Sequence, residues 1–115
     1  MKVKIYHNPR CSKSRETLQL LRDKGIDPEI VEYLKTPPSA EEIDQILHKL
    51  GIEPRDLMRK KEKPYDELDL FDKSLDRQAL IRAMVEHPIL IERPVVVIGD
   101  KAAIGRPPEN VLAIL

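Results

Sequence analysis

VKIYHNPRCSKSRETLQLLRDKGIDPEIVEYL, residues 3–34, is the stretch that decides the fold. Val3 to Tyr6 alternates as a strand does, and His7-Asn8-Pro9 ends it, because proline has no N–H for a ladder and asparagine favours turns. From Ser12 onward Thr17, Leu18, Leu20 and Leu21 recur at helical spacing, and Gly25 follows Arg22-Asp23-Lys24 as a helix-ending glycine after a basic last turn. Glu29 to Leu34 reads as a second strand. Strand, helix and strand within about 30 residues form a βαβ unit with parallel strands and a right-handed crossover. Cys11 falls at the N-terminus of the crossover helix.

Beyond Thr36-Pro37-Pro38 the character changes. Ser39 and Glu42 form a capping box, and Ile43, Ile46, Leu47 and Leu50 make one apolar stripe before Gly51. Pro54 opens a shorter helix through Leu57-Met58-Arg59, and Lys60 to Asp72 is too polar and broken for a long element. Ser74 is expected to cap a helix carrying Leu80, Ile81, Met84 and Val85, which Pro88 stops. The apolar run Val95 to Ile98 suits a strand buried on both faces, and Gly99-Asp100 predicts a hairpin to Ala102-Ala103-Ile104, followed by a short helix from Pro107 or Pro108. The expected fold class is α/β: a parallel βαβ unit and a C-terminal antiparallel hairpin in one mixed sheet, with a helical insertion at about 37–88. A thioredoxin-like architecture satisfies this order in a single domain spanning residues 1–115.

Composition narrows the partners. Twenty Lys and Arg balance twenty Asp and Glu, so the basic footprint of a general nucleic-acid binder is absent. Lys60-Lys61-Glu62-Lys63 reads as a solvated face. The longest apolar run, Pro94 to Ile98, falls far short of the roughly 18 residues of a membrane span, and the start Met1-Lys2-Val3-Lys4 resembles no signal peptide. A cytoplasmic monomer without nucleic-acid or membrane partners is expected. One cysteine makes no internal disulfide, and Cys11 with His7, His48 and His87 scattered along the chain supplies no zinc framework, so no metal is expected.

The chemistry centres on Cys11. A cysteine at a helix N-terminus meets unpaired N–H groups and the positive end of the macrodipole, both of which favour the thiolate, and Arg10, Lys13 and Arg15 place three cations close in sequence. The bland reading is a small buried residue at the strand end. Ser14 stands where a dithiol oxidoreductase carries its second cysteine, so the thiolate must be discharged by an external thiol or form an adduct with something other than sulfur. The same N–H groups cradle oxyanions. Ser14 reads equally well as an ordinary first-turn polar residue. His7 orients or acidifies the thiolate, or bonds its own loop.

The motif His7-Asn8-Pro9-x-Cys11-x-x-Ser14-Arg15 resembles the start of the glutaredoxin-dependent arsenate reductases, with Leu57-x-Arg59-Lys60, His87-Pro88-Ile89-Leu90-Ile91, Arg93-Pro94 and Arg106-Pro107 extending the likeness along the chain. The resemblance implies a thioredoxin-like fold with a helical insertion and a cis Arg93-Pro94 peptide. It implies that Cys11 attacks arsenate, that Arg59, Arg93 and Arg106 bind the tetrahedral oxyanion, and that glutathione, as co-substrate, and glutaredoxin supply the electrons without a tightly bound cofactor. Guanidinium forks suit such a dianion, since each can hold two of its oxygens and stays charged. The chain resembles the short bacterial branch of the family. Two other functions compete: a monothiol glutathione-dependent oxidoreductase indifferent to arsenate, and a non-catalytic regulator resembling Spx, whose usual Cys-x-x-Cys switch Ser14 contradicts.

Overall fold

A computed structural model describes residues 2–115 as two compact units, one formed by the chain up to Thr36 together with Arg93–Leu115, the other by Pro37–Glu92. The first unit carries the sheet. Its strands are β1 (Val3–Tyr6), β2 (Glu29–Val31), β3 (Val95–Ile98) and β4 (Lys101–Ile104), in the order β2-β1-β3-β4. β1 pairs parallel with β2 and antiparallel with β3, and β3 pairs antiparallel with β4. This is the mixed sheet expected from the sequence.

Between β1 and β2 runs helix α1 (Ser12–Asp23), which turns Ser14, Thr17, Leu18 and Leu21 inward, the i, i+3, i+4, i+7 stripe of a helix lying on a sheet. Leu18 and Leu21 pack with Ile5, Val96, Ile98 and Val111 in one aliphatic cluster, each fully buried side chain contributing about 1.5–3 kcal/mol. Val111 comes from a terminal 3₁₀ helix, Pro108–Ile114. Helix α1 ends in a Schellman arrangement: Gly25 has φ +77°, its N–H donates to the Arg22 carbonyl, and the Ile26 N–H donates to the Leu21 carbonyl. In the β3–β4 turn Gly99 has φ +59°, whereas Asp100 is not among the positive-φ residues, as a glycine-first hairpin turn requires.

The second strand is shorter than the sequence pattern predicts. β2 stops at Val31, whose carbonyl accepts the His7 N–H, and β1 turns away there, so residues 32–34 have no ladder to join. The Glu32 carbonyl instead accepts the N–H groups of Lys35 and Thr36, and Tyr33 is buried from within a turn.

The Pro37–Glu92 unit is helical. Helix α2 (Ala40–Leu50) has the expected capping box: Glu42 N–H donates to Ser39 Oγ at 3.1 Å, and Glu42 Oε1 accepts the Ser39 N–H at 3.4 Å. Gly51 closes it at φ +67°. A 3₁₀ turn (Pro54–Leu57), the five-residue helix α3 (Lys63–Glu67), helix α4 (Arg77–Glu86) and a 3₁₀ turn (Pro88–Leu90) follow. Asp76, not Ser74, caps α4, its Oδ1 accepting the Ala79 N–H at 2.8 Å. Ser74 is taken by Asp72 Oδ1, which accepts both its N–H and its hydroxyl, so the competing local turn removes it from the cap. Arg55 braces the connecting loop by donating to the carbonyls of Leu70 and Asp72.

Candidate active site around Cys11

Cys11 is the N-cap residue of α1, with extended backbone at φ −93° and ψ 125°. The loop before it is closed by its own hydrogen bonds: the Cys11 N–H donates to the Asn8 carbonyl at 3.0 Å, and Asn8 Oδ1 accepts the Arg10 N–H at 3.0 Å. Together these bonds hold the sulfur at the helix terminus, partly exposed. Burial alone would raise its thiol pKa. The Ser14 N–H, the Arg93 charge, the Lys13 N–H and the Arg106 guanidinium outweigh that burial and hold the thiol below its ordinary range.

Arg106 touches the sulfur: its Nη1 lies 3.8 Å from Cys11 Sγ and 3.4 Å from the Arg93 carbonyl. Arg93 and Arg106 each precede a cis proline, at Pro94 and Pro107. The cis bond at Pro94 is the one the family resemblance implies, and the one at Pro107 is additional to it. Two of the cations close to Cys11 in sequence are engaged elsewhere. Lys13 pairs with Glu16 at 3.5 Å, and Arg15 donates through Nη1 to the Pro9 carbonyl at 3.0 Å, bracing the loop from outside. The side-chain charges that favour the thiolate come from Arg93 and Arg106, distant in sequence, and add to the N–H groups of Ser14 and Lys13.

His7 is buried, and its Nδ1 lies 2.6 Å from Ser14 Oγ. Ser14, fully buried, also accepts the Asn8 N–H at 3.0 Å, so its hydroxyl ties the strand end to the first helical turn. Burial lowers the imidazole pKa; Glu32 opposes this, while Arg22 and Arg15 add to it, which leaves the ring neutral near pH 7. The contact with Ser14 makes His7 a buttress of the nucleophile's loop. Asn8, which sequence reasoning passed over, supplies three of the loop's hydrogen bonds through its N–H, carbonyl and Oδ1.

The structure thus gathers Cys11, His7, Ser14, Arg93 and Arg106 in one unit. Arg59 belongs to the Pro37–Glu92 unit, where its N–H donates to the Leu90 carbonyl and its Nη1 pairs with Glu62 Oε2 at 2.9 Å. Beside it Met58 and Ile91 form an isolated antiparallel bridge. Among the described residues no group of three His, Cys, Asp or Glu side chains is arranged to hold a metal ion, and no helix is long and apolar enough to cross a membrane.

A lone cysteine capping the helix after β1, an arginine beside a cis proline in contact with it and a second acting on it by charge, and a helical insertion between β2 and β3 define a thioredoxin-like protein with a monothiol site. The chain belongs to the ArsC family, which it matches over residues 6–114. It is 59% identical over 114 residues to the uncharacterized protein YfgD of Escherichia coli strain K12, covering 98% of this chain and 96% of that one. It is 52% identical over 114 residues to an arsenate reductase of Neisseria meningitidis serogroup A, covering 98% and 97%. The solved structure of an arsenate reductase from Vibrio cholerae superimposes with a TM-score of 0.97 at 56% identity, over 100% of this chain and 98% of that one.

Proposed function

We propose that this protein reduces arsenate to arsenite, with Cys11 as nucleophile and with glutathione and glutaredoxin as the source of electrons. The carrying observation is the sulfur at the start of α1 with the Arg106 guanidinium 3.8 Å away and the Arg93 charge acting on it. The ArsC relatives that bear the name arsenate reductase support the substrate.

In the proposed sequence the Cys11 thiolate displaces hydroxide from arsenate, forming a sulfur–arsenic bond while arsenic stays pentavalent. The backbone N–H groups of Lys13 and Ser14, with Arg93 and Arg106, balance the oxyanion charge. Arg59 is assigned to the same task by its match to the family motif. Glutathione then displaces a second hydroxide and binds arsenic through its sulfur. A glutaredoxin thiolate attacks that glutathione sulfur, forming the mixed disulfide and leaving an electron pair on arsenic, which becomes trivalent. Water releases arsenite and restores the Cys11 thiol. Two thiols lose two electrons, arsenic gains two, and phosphate, which binds as a competing anion, accepts none. No internal resolving cysteine is needed, consistent with Ser14 at that position. Regeneration by external thiols places the activity in a reducing compartment such as the cytoplasm.

The test is NADPH oxidation coupled through glutathione reductase, run with arsenate and separately with a generic glutathione mixed disulfide. Arg59→Ala is expected to lose the arsenate-dependent rate and keep the disulfide-dependent one. Equal loss with both substrates, or a wild-type protein active only on the disulfide, identifies a general monothiol oxidoreductase instead.

A further inference from the structure

Gly105 carries Arg106 away from β4, and the space around it is already full. A Cβ built on it would meet Thr17 Oγ1 at 2.5 Å, Pro94 Cγ at 2.8 Å and Thr17 Cγ2 at 3.0 Å. Its φ lies outside the left-handed range, so a larger residue is excluded by lack of room and not by backbone strain. The atoms in the way are not flexible ends. Pro94 is a ring, and Thr17 is a fully buried, β-branched residue of α1 whose Oγ1 donates to the Lys13 carbonyl at 2.8 Å. Gly105 is also bonded on both sides: its N–H donates to the Pro94 carbonyl at 2.9 Å, and its own carbonyl faces Thr17 Oγ1 at 3.4 Å.

Three segments therefore meet at this glycine: α1, which begins at Cys11; the Arg93-Pro94 step; and the Arg106-Pro107 step. We propose that Gly105 and Thr17 are positioning residues, their contact fixing how closely the two arginines approach the Cys11 sulfur. The inference rests on the proposed reaction only where arsenate enters, because the ionisation of Cys11 reports the same spacing without any substrate.

The experiment compares wild type, Gly105→Ala, Thr17→Ala and the double variant. The readouts are the pH profile of Cys11 alkylation by iodoacetamide, KM and kcat with arsenate, and thermal stability. Gly105→Ala is expected to move the alkylation midpoint to higher pH, because the guanidiniums withdraw from the sulfur. Its KM for arsenate is expected to rise, with about 100-fold as the upper scale set by a misplacement of about 1 Å. Thr17→Ala removes two of the three obstructing atoms, so the double variant is expected to return most of the way to the Thr17→Ala profile. A purely structural role would lower the melting temperature and leave both the alkylation midpoint and KM in place. A folded Gly105→Ala with the wild-type profile overturns the proposal. If Gly105→Ala does not fold, recovery of fold and profile in the double variant supports the contact; because Pro94 Cγ still crowds that variant, its failure to fold passes the decision to Thr17→Ala, where a shifted alkylation midpoint supports the contact and an unchanged one overturns it. A wild-type protein inactive on arsenate removes the proposed reaction but leaves the alkylation comparison standing.

Discussion

Replacing Arg106 with alanine removes a guanidinium that lies 3.8 Å from Cys11 Sγ. At that distance two unit charges interact by about 1 kcal/mol if the dielectric is that of water, and more if it is lower. Arg106 is exposed and the sulfur only partly buried, and exposed pairs deliver roughly 0.2–1 kcal/mol in practice, so the water value is the one to use. An energy of about 1 kcal/mol corresponds to an about fivefold fall in the thiolate-to-thiol ratio at any pH below the thiol pKa. The Ser14 and Lys13 N–H groups and the Arg93 charge remain, so part of the stabilisation of the thiolate is kept. Thiolate absorbance near 240 nm, followed as a function of pH, reads the ratio directly, with Cys11→Ser as the blank. Arg106→Lys keeps the charge but on a shorter, flexible side chain without the planar fork, and is expected to fall between wild type and alanine. Superimposable titrations of wild type and Arg106→Ala would refute the assignment of Arg106 to the sulfur.

His7 predicts an acid limb in stability. Burial lowers its pKa in the folded state, so the unfolded chain takes up a proton first; the stabilising contribution is present above the unfolded value of about 6.5 and is lost as pH falls from there toward the folded value. Thermal melts of wild type should decline over that range more steeply than those of His7→Gln. Ser14→Ala leaves the Asn8 N–H and His7 Nδ1 without their buried partner and should cost about 1–3 kcal/mol in chemical denaturation. Ser39→Ala opens the capping box of α2 and should cost about 1 kcal/mol by the same measurement, with no change in the Cys11 titration.

What the sequence revealed was local. The βαβ unit, the α2 capping box, the turn at Gly99 and the placement of Cys11 at a helix start all depend on residues within a few positions of one another, where spacing and turn chemistry act directly. Errors arose where a distant or competing partner decided. β2 ends at Val31 because β1 leaves it, which no pattern in Glu32-Tyr33-Leu34 reveals. Ser74 has the right chemistry for a cap but Asp72 claims it, and Asp76 caps in its place. The site shows the same division. Arg10, Lys13 and Arg15 are the obvious cations beside Cys11, yet Lys13 and Arg15 are tied to Glu16 and the Pro9 carbonyl, and the sulfur is served by Arg93 and Arg106. Those two converge only once β3 is inserted between β1 and β4, a pairing across most of the chain. In the sequence both lie where loops leave predicted strands, and the family resemblance is what ties them to an oxyanion.

The central claim is that the Cys11 sulfur itself attacks arsenate. With protein in excess over arsenate, and glutathione and glutaredoxin present, arsenite released in a single turnover should match the arsenate supplied for wild type and be absent for Cys11→Ser. Arsenite formed by the serine variant at the wild-type rate would contradict it.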